Sequence, residues 1–235
     1  MNFEERISTM HITVLTGAGI SAESGIPTFR GAGGLWEGFK VEDVASPEGW
    51  LRDQKMVLQF YNARRKAVKN ANPNKAHLDL AALEQHHHVQ IITQNIDDLH
   101  ERAGSKNIVH LHGEIFKSRS VKNESIIYDC EGDINFGDIA TDGGQLRPHI
   151  VWFGEQVPNL EKAITLTERS DILVIIGTSM LVYPAASLLH YAPYDIPVYI
   201  INPEIPEMNK KSNYHFIKKN ASEGVAEFIR DVLKL

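Results

Sequence analysis

A short glycine-rich turn near the start of the chain has the residue types and spacing to bind phosphate. Gly17 and Gly19 follow an apolar run, and Ala22 occupies the third position of the G-x-G-x-x-G/A pattern. Glycines at such positions let backbone N–H groups approach a pyrophosphate closely. In a typical dinucleotide-binding unit, a helix and a second strand then lead to an acidic residue about 20 residues later. Here Ile26-Pro27 interrupts the helix early, so we expect an unusual loop that closes over the ligand.

Two further polar segments follow apolar runs and carry groups suited to a sugar or to proton transfer. Gln94-Asn95-Ile96-Asp97 offers two amides and one carboxylate, which suit ribose hydroxyls or a carboxamide. His110-Leu111-His112-Gly113 offers two imidazoles, which alternation along a strand places on the same side. An imidazole can accept a proton at neutral pH because its ordinary pKa is near 6.5. We interpret His112, nearer the end of its strand, as the candidate base and His110 as structural.

An alternation of apolar and amphipathic segments must position these groups. Five apolar runs are typical of buried strands: His11–Thr16, Val89–Thr93, Ile108–Leu111, Ile172–Ile176 and Val198–Ile201. Helical patterns separate or follow them: Ala76–Glu84, Asp97–Ala103, Leu160–Glu168, Ala185–Tyr191 and Ser222–Leu233. This order predicts an α/β fold with a Rossmann-like, mostly parallel sheet that has helices on both faces. Ligands of such sheets bind outside the carboxyl ends of the strands, where the polar segments lie.

Two segments interrupt the alternation. Residues 32–73 are mainly helical in pattern, with Trp36, Trp50 and Phe60-Tyr61 as apolar anchors. Residues 114–150 are polar and glycine-rich, with weak periodicity. We therefore expect a single catalytic domain over residues 1–235, in which these two insertions form a smaller module beside the sheet.

Composition narrows the classes of partner and compartment. A net charge of −6 provides no general footprint for nucleic acid, and 43% hydrophobic residues suffice for a core. The single cysteine, Cys130, excludes an intramolecular disulfide. Without a signal peptide or a long apolar span, we expect a soluble cytoplasmic protein that binds no membrane. The run His86-His87-His88 is expected to end a helix at the surface.

Six segments, taken together, resemble the sirtuin (Sir2) family of NAD-dependent protein deacylases. They are GAGISAESGIPTFRG, TQNIDDLHERAG, HLHG, LRPHIVWFGE, GTSMLVYPA and INPE, and they occur in the family's order over most of the chain. The resemblance implies that NAD is a consumed co-substrate and that the protein substrates carry acyl-lysine. The products would be free lysine, nicotinamide and O-acyl-ADP-ribose. The family also suggests a monomer.

The resemblance implies roles for the matching residues. His112 would be the general base, with Asn95 as a second catalytic residue. Val151-Trp152-Phe153-Gly154-Glu155 would pair with the substrate backbone as an extended edge, and alternation would direct Val151 and Phe153 into the acyl-lysine tunnel beside Gly154. The implied NAD-binding residues are Gly17, Ala18, Gly19, Ser21, Phe29, Arg30, Trp36, Gln94, Asn95, Asp97, Gly177, Thr178, Ser179, Asn202, Glu204 and Ala221.

A tyrosine and an arginine in the helical insertion indicate which acyl group is removed. Tyr61 and Arg64 are three residues apart and so share a helix face. A phenol and a guanidinium that converge on one point suit a carboxylate, which arginine can bind with two parallel hydrogen bonds. The Tyr-x-x-Arg pattern is similar to that of sirtuins that remove succinyl and malonyl groups. We therefore expect a preference for these acidic acyl groups over acetyl.

The chain departs from the family at its zinc site. Sirtuins usually hold a structural zinc with two Cys-x-x-Cys pairs, which here align with Ser120 and Asn123 and with Ile139 and Asp142. These residues cannot supply the thiolates that zinc requires. We expect no metal and a module held by its own apolar residues, among them Phe116, Ile126, Ile127, Tyr128, Ile134 and Phe136.

Three other functions remain open from the residues alone. An NAD-dependent protein mono-ADP-ribosyltransferase would use the same cofactor site, but Tyr61, Arg64 and the peptide-pairing segment favour deacylation. A non-catalytic NAD-binding regulatory module would not need His112. A hydride-transferring dehydrogenase is disfavoured because the second strand and its ribose-binding acid do not follow Gly19.

Overall fold

The computed structural model describes residues 9–28, 35–36, 38–206, 209 and 211–234. The strands are β1 (His11–Thr16), β2 (Leu35–Trp36), β3 (Phe39–Lys40), β4 (His88–Thr93), β5 (Ile108–His110), β6 (Gly113–Ser120), β7 (Ile127–Asp129), β8 (Leu146–Ile150), β9 (Ile172–Ile176), β10 (Val198–Ile201) and β11 (Tyr214–Ile217). The α-helices are α1 (Gly19–Ala22), α2 (Val41–Val44), α3 (Pro47–Arg52), α4 (Gln54–Asn70), α5 (Lys75–Leu83), α6 (Leu99–Ala103), α7 (Leu160–Thr167) and α8 (Ala221–Glu227). Ala185–Tyr191 forms a 3₁₀ helix, and Phe228–Leu233 continues α8 as a π-helix.

The main sheet is parallel throughout, in the order β11-β10-β9-β1-β4-β5. Successive residues of β1 point to opposite faces, so Val14 packs with α5 and α8 while Leu15 packs with α7 and the 3₁₀ helix. Apolar burial on both faces accounts for the near-continuous apolar runs. The predicted α/β fold with helices on both faces is confirmed.

The sixth strand of this sheet, β11, was not expected from the sequence. Tyr214–Ile217 is an edge strand, paired only with β10 among the described residues. Its second residue, His215, is exposed and stacks on Tyr199 with ring centroids 4.8 Å apart. A half-exposed edge strand needs no continuous apolar run, so the pattern that identifies the central strands is missing here.

The two insertions share one apolar cluster beside the sheet. It combines Trp50, Phe60 and Val68 from the helical insertion with Ile115 and Ile134 from the second insertion. Residues 114–150, for which no strands were expected, form most of an antiparallel sheet in the order β7-β6-β8. Apolar alternation fails to reveal β6 because its buried positions include polar residues that have hydrogen-bonding or ionic partners inside the module.

The expectation that Ile127 and Phe136 help to hold this module is wrong. Their relative exposures are 44% and 60%. The core is formed by Ile134, as expected, together with Ile115 and Ile150, and all three are at most 3% exposed. Burial of such side chains stabilises a fold by about 1.5–3 kcal/mol each, so the module depends on packing against the helical insertion.

Arg65 of α4 joins the two insertions through backbone carbonyls. This side chain is 1% exposed, and its guanidinium donates to the carbonyl oxygens of Ile115 at 2.8 Å and Gly132 at 3.2 Å, and to Asn62 Oδ1 at 2.8 Å. The Asn62 amide in turn exchanges two hydrogen bonds with the backbone of Ile134. These bonds set the distance of α4, which carries Tyr61 and Arg64, from β6.

The histidine run does not lie wholly at the surface as expected. Helix α5 ends at Leu83, and His88 already belongs to β4. His87 is 3% exposed and accepts a hydrogen bond from Met10 N at its Nδ1. Among the described residues, no helix combines the length and the apolar character that a membrane crossing requires.

Candidate functional site

The glycine turn packs against a second backbone at the carboxyl end of the sheet. Gly17 N donates to Ile176 O at 3.0 Å and Gly19 N to Gly177 O at 2.8 Å. A Cβ at Gly19 would lie 2.6 Å from Gly177 Cα, and one at Gly17 would lie 2.8 Å from Thr178 Cβ. Gly177 itself has φ +62°, which glycine adopts readily. The turn is therefore a tightly packed backbone cradle with no room for side chains at Gly17 and Gly19.

We expect Gly19→Ala to weaken NAD binding and to lower the melting temperature. The new methyl group would have to displace the Gly177 backbone, because no flexible side chain is available to move. Calorimetric titration with NAD and thermal denaturation measure the two effects. Gly132→Ala is the matched control, since a Cβ there meets nothing within 4 Å. Equal NAD affinity in both variants would show that the turn does not contact NAD.

The segment after β4 meets this turn through buried polar contacts. Asn95 Nδ2 donates to Gly17 O at 3.2 Å and to Ser21 Oγ at 3.1 Å, and Ser21 Oγ donates to Asp97 Oδ2 at 3.0 Å. Asp97 Oδ1 accepts from Leu99 N at 3.2 Å. Burial raises the pKa of Asp97, although these hydrogen bonds oppose the shift. Ser21 is 1% exposed, and its hydroxyl orients the side chains of Asn95 and Asp97 through these two hydrogen bonds.

His112 presents one ring nitrogen for proton transfer. Its Nδ1 lies 3.0 Å from the carbonyl oxygen of Gln94. A carbonyl only accepts, so Nδ1 carries the proton and the lone pair of the neutral ring is on Nε2. Burial lowers the pKa of His112, and the bond to Gln94 opposes this shift only in part. The imidazole is thus neutral at pH 7 and able to accept a proton.

Residues that follow β9 and β10 form hydrogen bonds with the segment after β4 and with each other. Gln94 Nε2 donates to Thr178 Oγ1 at 3.3 Å, and Asn202 Nδ2 donates to Thr178 O at 3.3 Å. Ala221 begins α8, whose Ser222 N donates to Glu23 Oε2 beyond α1 at 2.9 Å. Hydrogen bonds thus link Gly17, Gln94, Asn95, Asp97, His112, Thr178 and Asn202 at one edge of the sheet.

The structure does not join every residue predicted to bind NAD to this edge. Glu204 is exposed after β10. Phe29 and Arg30 lie outside the described residues.

Tyr61, Arg64 and Trp36 form a second cluster. The Arg64 guanidinium carbon lies 4.4 Å from the centre of the Trp36 ring, and the Tyr61 ring meets that ring edge-on at 6.3 Å. Tyr61 Oη accepts a hydrogen bond from Trp152 Nε1 at 3.1 Å. Tyr61 is fully buried and Arg64 is 6% exposed. Burial raises the pKa of Tyr61, so the phenol keeps its proton.

The sequence analysis did not predict a network of ion pairs next to Trp152, the hydrogen-bond donor to Tyr61. Glu155 accepts hydrogen bonds from Arg147 at 2.6 Å, from Arg119 at 3.2 Å and from the backbone N–H of Trp152 at 2.8 Å. The Arg147 guanidinium carbon lies 3.2 Å from the centre of the Trp152 ring. The motif LRPHIVWFGE contains both Arg147 and Glu155, so an opposite-charge pair within it was the available signal.

The expectation that Val151–Glu155 is an extended strand is wrong. Strand β8 ends at Ile150, and a turn follows in which Gly154 has φ +89°. Val151 N donates to His112 O at 2.9 Å, whereas Phe153 N donates to Ala45 O at 3.0 Å. The two N–H groups thus donate to two different parts of the chain, so the segment forms no regular β-ladder with either. Phe153 is 46% exposed and Val151 is partly buried beside the backbone of His112.

The sequence pattern of the Sir2 family matches residues 17–184. The chain belongs to the Sir2 family. Two relatives named NAD-dependent protein deacylase support this: one from Helicobacter pylori is 50% identical, covering 96% of each chain, and one from Bacteroides thetaiotaomicron is 54% identical, covering 92% of this chain and 95% of the relative.

Solved Sir2 structures have the same fold. A Sir2 homologue mutant in complex with ADP-ribose matches with a TM-score of 0.86 and 37% identity, over 100% of this chain and 97% of the other. A Sir2 homologue in complex with NAD matches with a TM-score of 0.85 and 38% identity, over 98% and 92%. NAD is therefore the cofactor of this Sir2 enzyme.

The residues at the family's zinc positions do not fit a metal in this Sir2 chain. Ser120 Oγ donates to Asp142 at 2.8 Å, and Gly144 N donates to Asp142 Oδ1 at 2.9 Å. Asn123 caps a local turn, and the Ile139 side chain has no ligand atom. Within the described residues, no group of three or more histidine, cysteine, aspartate or glutamate side chains could hold a metal ion.

We predict that the protein purified without chelator contains no stoichiometric zinc. The Ser120–Asp142 hydrogen bond joins two of the positions that zinc would otherwise link. Elemental analysis of the native protein tests this, with a sirtuin that retains both Cys-x-x-Cys pairs prepared in parallel as the positive control. One zinc per chain would overturn the prediction.

Proposed function

We propose that this Sir2-family enzyme is an NAD-dependent protein-lysine deacylase that removes succinyl and malonyl groups in preference to acetyl. The observation that carries the acyl preference is the packing of the Arg64 guanidinium and the Tyr61 ring against the same Trp36 ring. The deacylase activity itself accords with the relatives at about half identity and with the NAD-binding edge of the sheet.

The chemistry of Tyr61 and Arg64 suits a carboxylate at the distal end of the acyl chain. Trp152 donates to the phenol oxygen, so the phenol's own proton is directed elsewhere and can be donated to an anion. The Arg64 guanidinium can bind both oxygens of a carboxylate. With Arg64 only 6% exposed, water screens this interaction less than it would at the surface.

The NAD edge supplies the groups for acyl transfer. We assign Asn95 to the ribose and Asp97 to the nicotinamide carboxamide, both oriented by Ser21. When bound, NAD supplies the ribose carbon from which nicotinamide leaves and to which the acyl oxygen is joined. His112 Nε2 accepts the proton from a ribose hydroxyl, and Gln94 O fixes the ring for this step. Phe29 is proposed to exclude water, which would otherwise compete for the ribose.

The acyl preference is tested by incubating the protein with NAD and a panel of acyl-lysine peptides. Butyryl-lysine is the matched substrate control, since it has the four-carbon length of succinyl without the carboxylate. We expect kcat/KM to follow the order succinyl or malonyl above acetyl and butyryl, with loss of the acyl mass from the peptide. A higher kcat/KM for butyryl than for succinyl would contradict the preference.

Labelled NAD distinguishes deacylation from mono-ADP-ribosylation in the same reactions. The proposal requires the label in O-acyl-ADP-ribose. Label retained on protein, with no loss of acyl mass, would instead show an ADP-ribosyltransferase.

A further inference from the structure

His110 lies between two hydrogen-bond acceptors. Its Nδ1 is 3.1 Å from the carbonyl oxygen of Asn95, and its Nε2 is 2.7 Å from Oε1 of Glu101 on α6. A carbonyl cannot donate, so Nδ1 must carry a proton to make the first bond. The second bond then requires a proton on Nε2 or on the Glu101 carboxyl. Its length is in the range of a charge-assisted N–H···O bond between an imidazolium and a carboxylate.

We propose that His110 is a positioning residue of the NAD site, held as an imidazolium by Glu101 so that it fixes the backbone carbonyl of Asn95. The assignment goes beyond the interpretation of His110 as a structural histidine. It rests on the proposed function in one respect, which is that Asn95 and Asp97 contact NAD.

Three consecutive carbonyls of the NAD-binding segment accept hydrogen bonds from residues 110–115. Gln94 O accepts from the His112 ring, Asn95 O from the His110 ring and Ile96 O from the backbone N–H of Ile115 at 2.8 Å. The two side-chain bonds come from rings two residues apart at the end of β5. Loss of the His110 bond would free the peptide group of Asn95, whose side chain bonds to Gly17 and Ser21.

The surroundings give the two histidines opposite charge states. His110 faces Glu101 of α6 and Glu114 of β6, with Asp97, Asp98 and His100 also nearby. Burial would lower the pKa of His110, but the hydrogen bond and charge of Glu101 outweigh it and the pKa is raised. The bond from His110 likewise overcomes the effect of burial on Glu101, whose pKa is lowered. Within the described part of the chain no carboxylate hydrogen-bonds to the His112 ring, and burial lowers its pKa.

The sign of the pH effect follows from the raised pKa. The bonds from His110 to both acceptors are complete below that pKa and cannot both persist once pH rises through it. If the neutral ring keeps its proton on Nε2 for Glu101, Asn95 loses its donor. NAD affinity should therefore fall on the alkaline side, by about 3- to 10-fold for one hydrogen bond. The acid limb of activity belongs to His112, whose pKa is lowered, so the two effects are separated on the pH scale.

Side-chain ¹⁵N NMR on the NAD-free protein, together with calorimetric titration with NAD across pH, tests this role. We expect the His110 ring to carry protons on both nitrogens and to titrate above the ordinary pKa of about 6.5. Glu101→Gln should lower that midpoint and move the fall in NAD affinity to lower pH. His110→Gln, whose amide can donate without titrating, should abolish this pH dependence and also identifies the resonance.

Glu161→Gln, on the exposed surface of α7, is the control and should match wild type in both measurements. A His110 midpoint at or below the ordinary value would overturn the imidazolium. An NAD affinity whose pH dependence is the same in wild type and Glu101→Gln would overturn the positioning role. Neither result depends on which acyl group the enzyme removes, so failure of the acyl preference is distinguishable from failure here.

Discussion

Replacement of His112 by glutamine is expected to lower kcat for deacylation by about 10²–10⁴-fold, the usual contribution of a general base. The physical reason is the orientation of the ring: Nδ1–H donates to Gln94 O, so Nε2 is the nitrogen that can accept a proton. NAD should still bind with nearly wild-type affinity, because the glutamine amide can replace the ring as the donor to Gln94 O and the Asn95–Ser21–Asp97 contacts do not involve the His112 side chain. Steady-state kinetics with the best acyl-lysine peptide, and calorimetry with NAD, measure the two quantities.

The pH profile gives a second test of His112. Burial lowers its pKa, and the neutral ring is the active base, so activity should persist below pH 6.5 and fall only as pH drops through the lowered pKa. His86→Gln is the control, since His86 is exposed after α5. If His112→Gln kept most of the wild-type kcat, or if the acid limb were unchanged in it, another group would have to be the base.

Replacement of Arg64 by methionine should cost about 2–5 kcal/mol in transition-state binding of succinyl- and malonyl-lysine, the range for losing one partner of a buried charge pair. That is about 30- to several thousand-fold in kcat/KM. Acetyl-lysine has no distal carboxylate, so its kcat/KM should change little. Methionine retains much of the length and apolar contact of the side chain against Trp36. Parallel kinetics on the succinyl, malonyl and acetyl peptides measure the difference.

Two further variants separate the carboxylate contact from a general defect. Arg64→Lys keeps the charge without the two-pronged geometry and should lie between wild type and Arg64→Met. Lys66→Met, two residues further along α4, removes only an exposed ion pair with Asp133 and should leave all three substrates unaffected. A parallel loss with acetyl-lysine and succinyl-lysine would show that Arg64 supports the fold of the site rather than the acyl preference.

The central strands and the glycine turn could be predicted because local sequence alone determines them. Residues 172–176 are apolar at every position since both faces of β9 are covered by helices, and that pattern needs no knowledge of the partners. The turn at Gly17 and Gly19 was visible for the same reason, since the close approach of another backbone excludes side chains there. The proximity of Asn95, Asp97 and His112 could be predicted because strand ends in a parallel sheet meet at one edge.

The small module could not be predicted to the same extent, because its stability comes from contacts between residues distant in the chain. Arg119 is buried in β6 against Glu155, and Arg65 of α4 bonds to carbonyls of the second insertion, so polar side chains occupy positions where alternation requires apolar ones. The segment after Ile150 was expected to be extended because it resembles the substrate-pairing segment of the family, yet its N–H groups bond to His112 and Ala45. A motif match identifies the residues but not the backbone partners that folding brings to them.

The sequence by itself determined the parallel sheet, the glycine turn and the identity of the polar groups at the strand ends, because these follow from periodicity and from the chemistry of each residue type. Only the tertiary structure decided which way those groups face and which proton each carries. His110 and His112 are histidines two positions apart, but His110 hydrogen-bonds to a carboxylate of α6 whereas His112 hydrogen-bonds to a backbone carbonyl. Protonation depends on burial and on partners brought together by folding, and these are properties of the assembled structure.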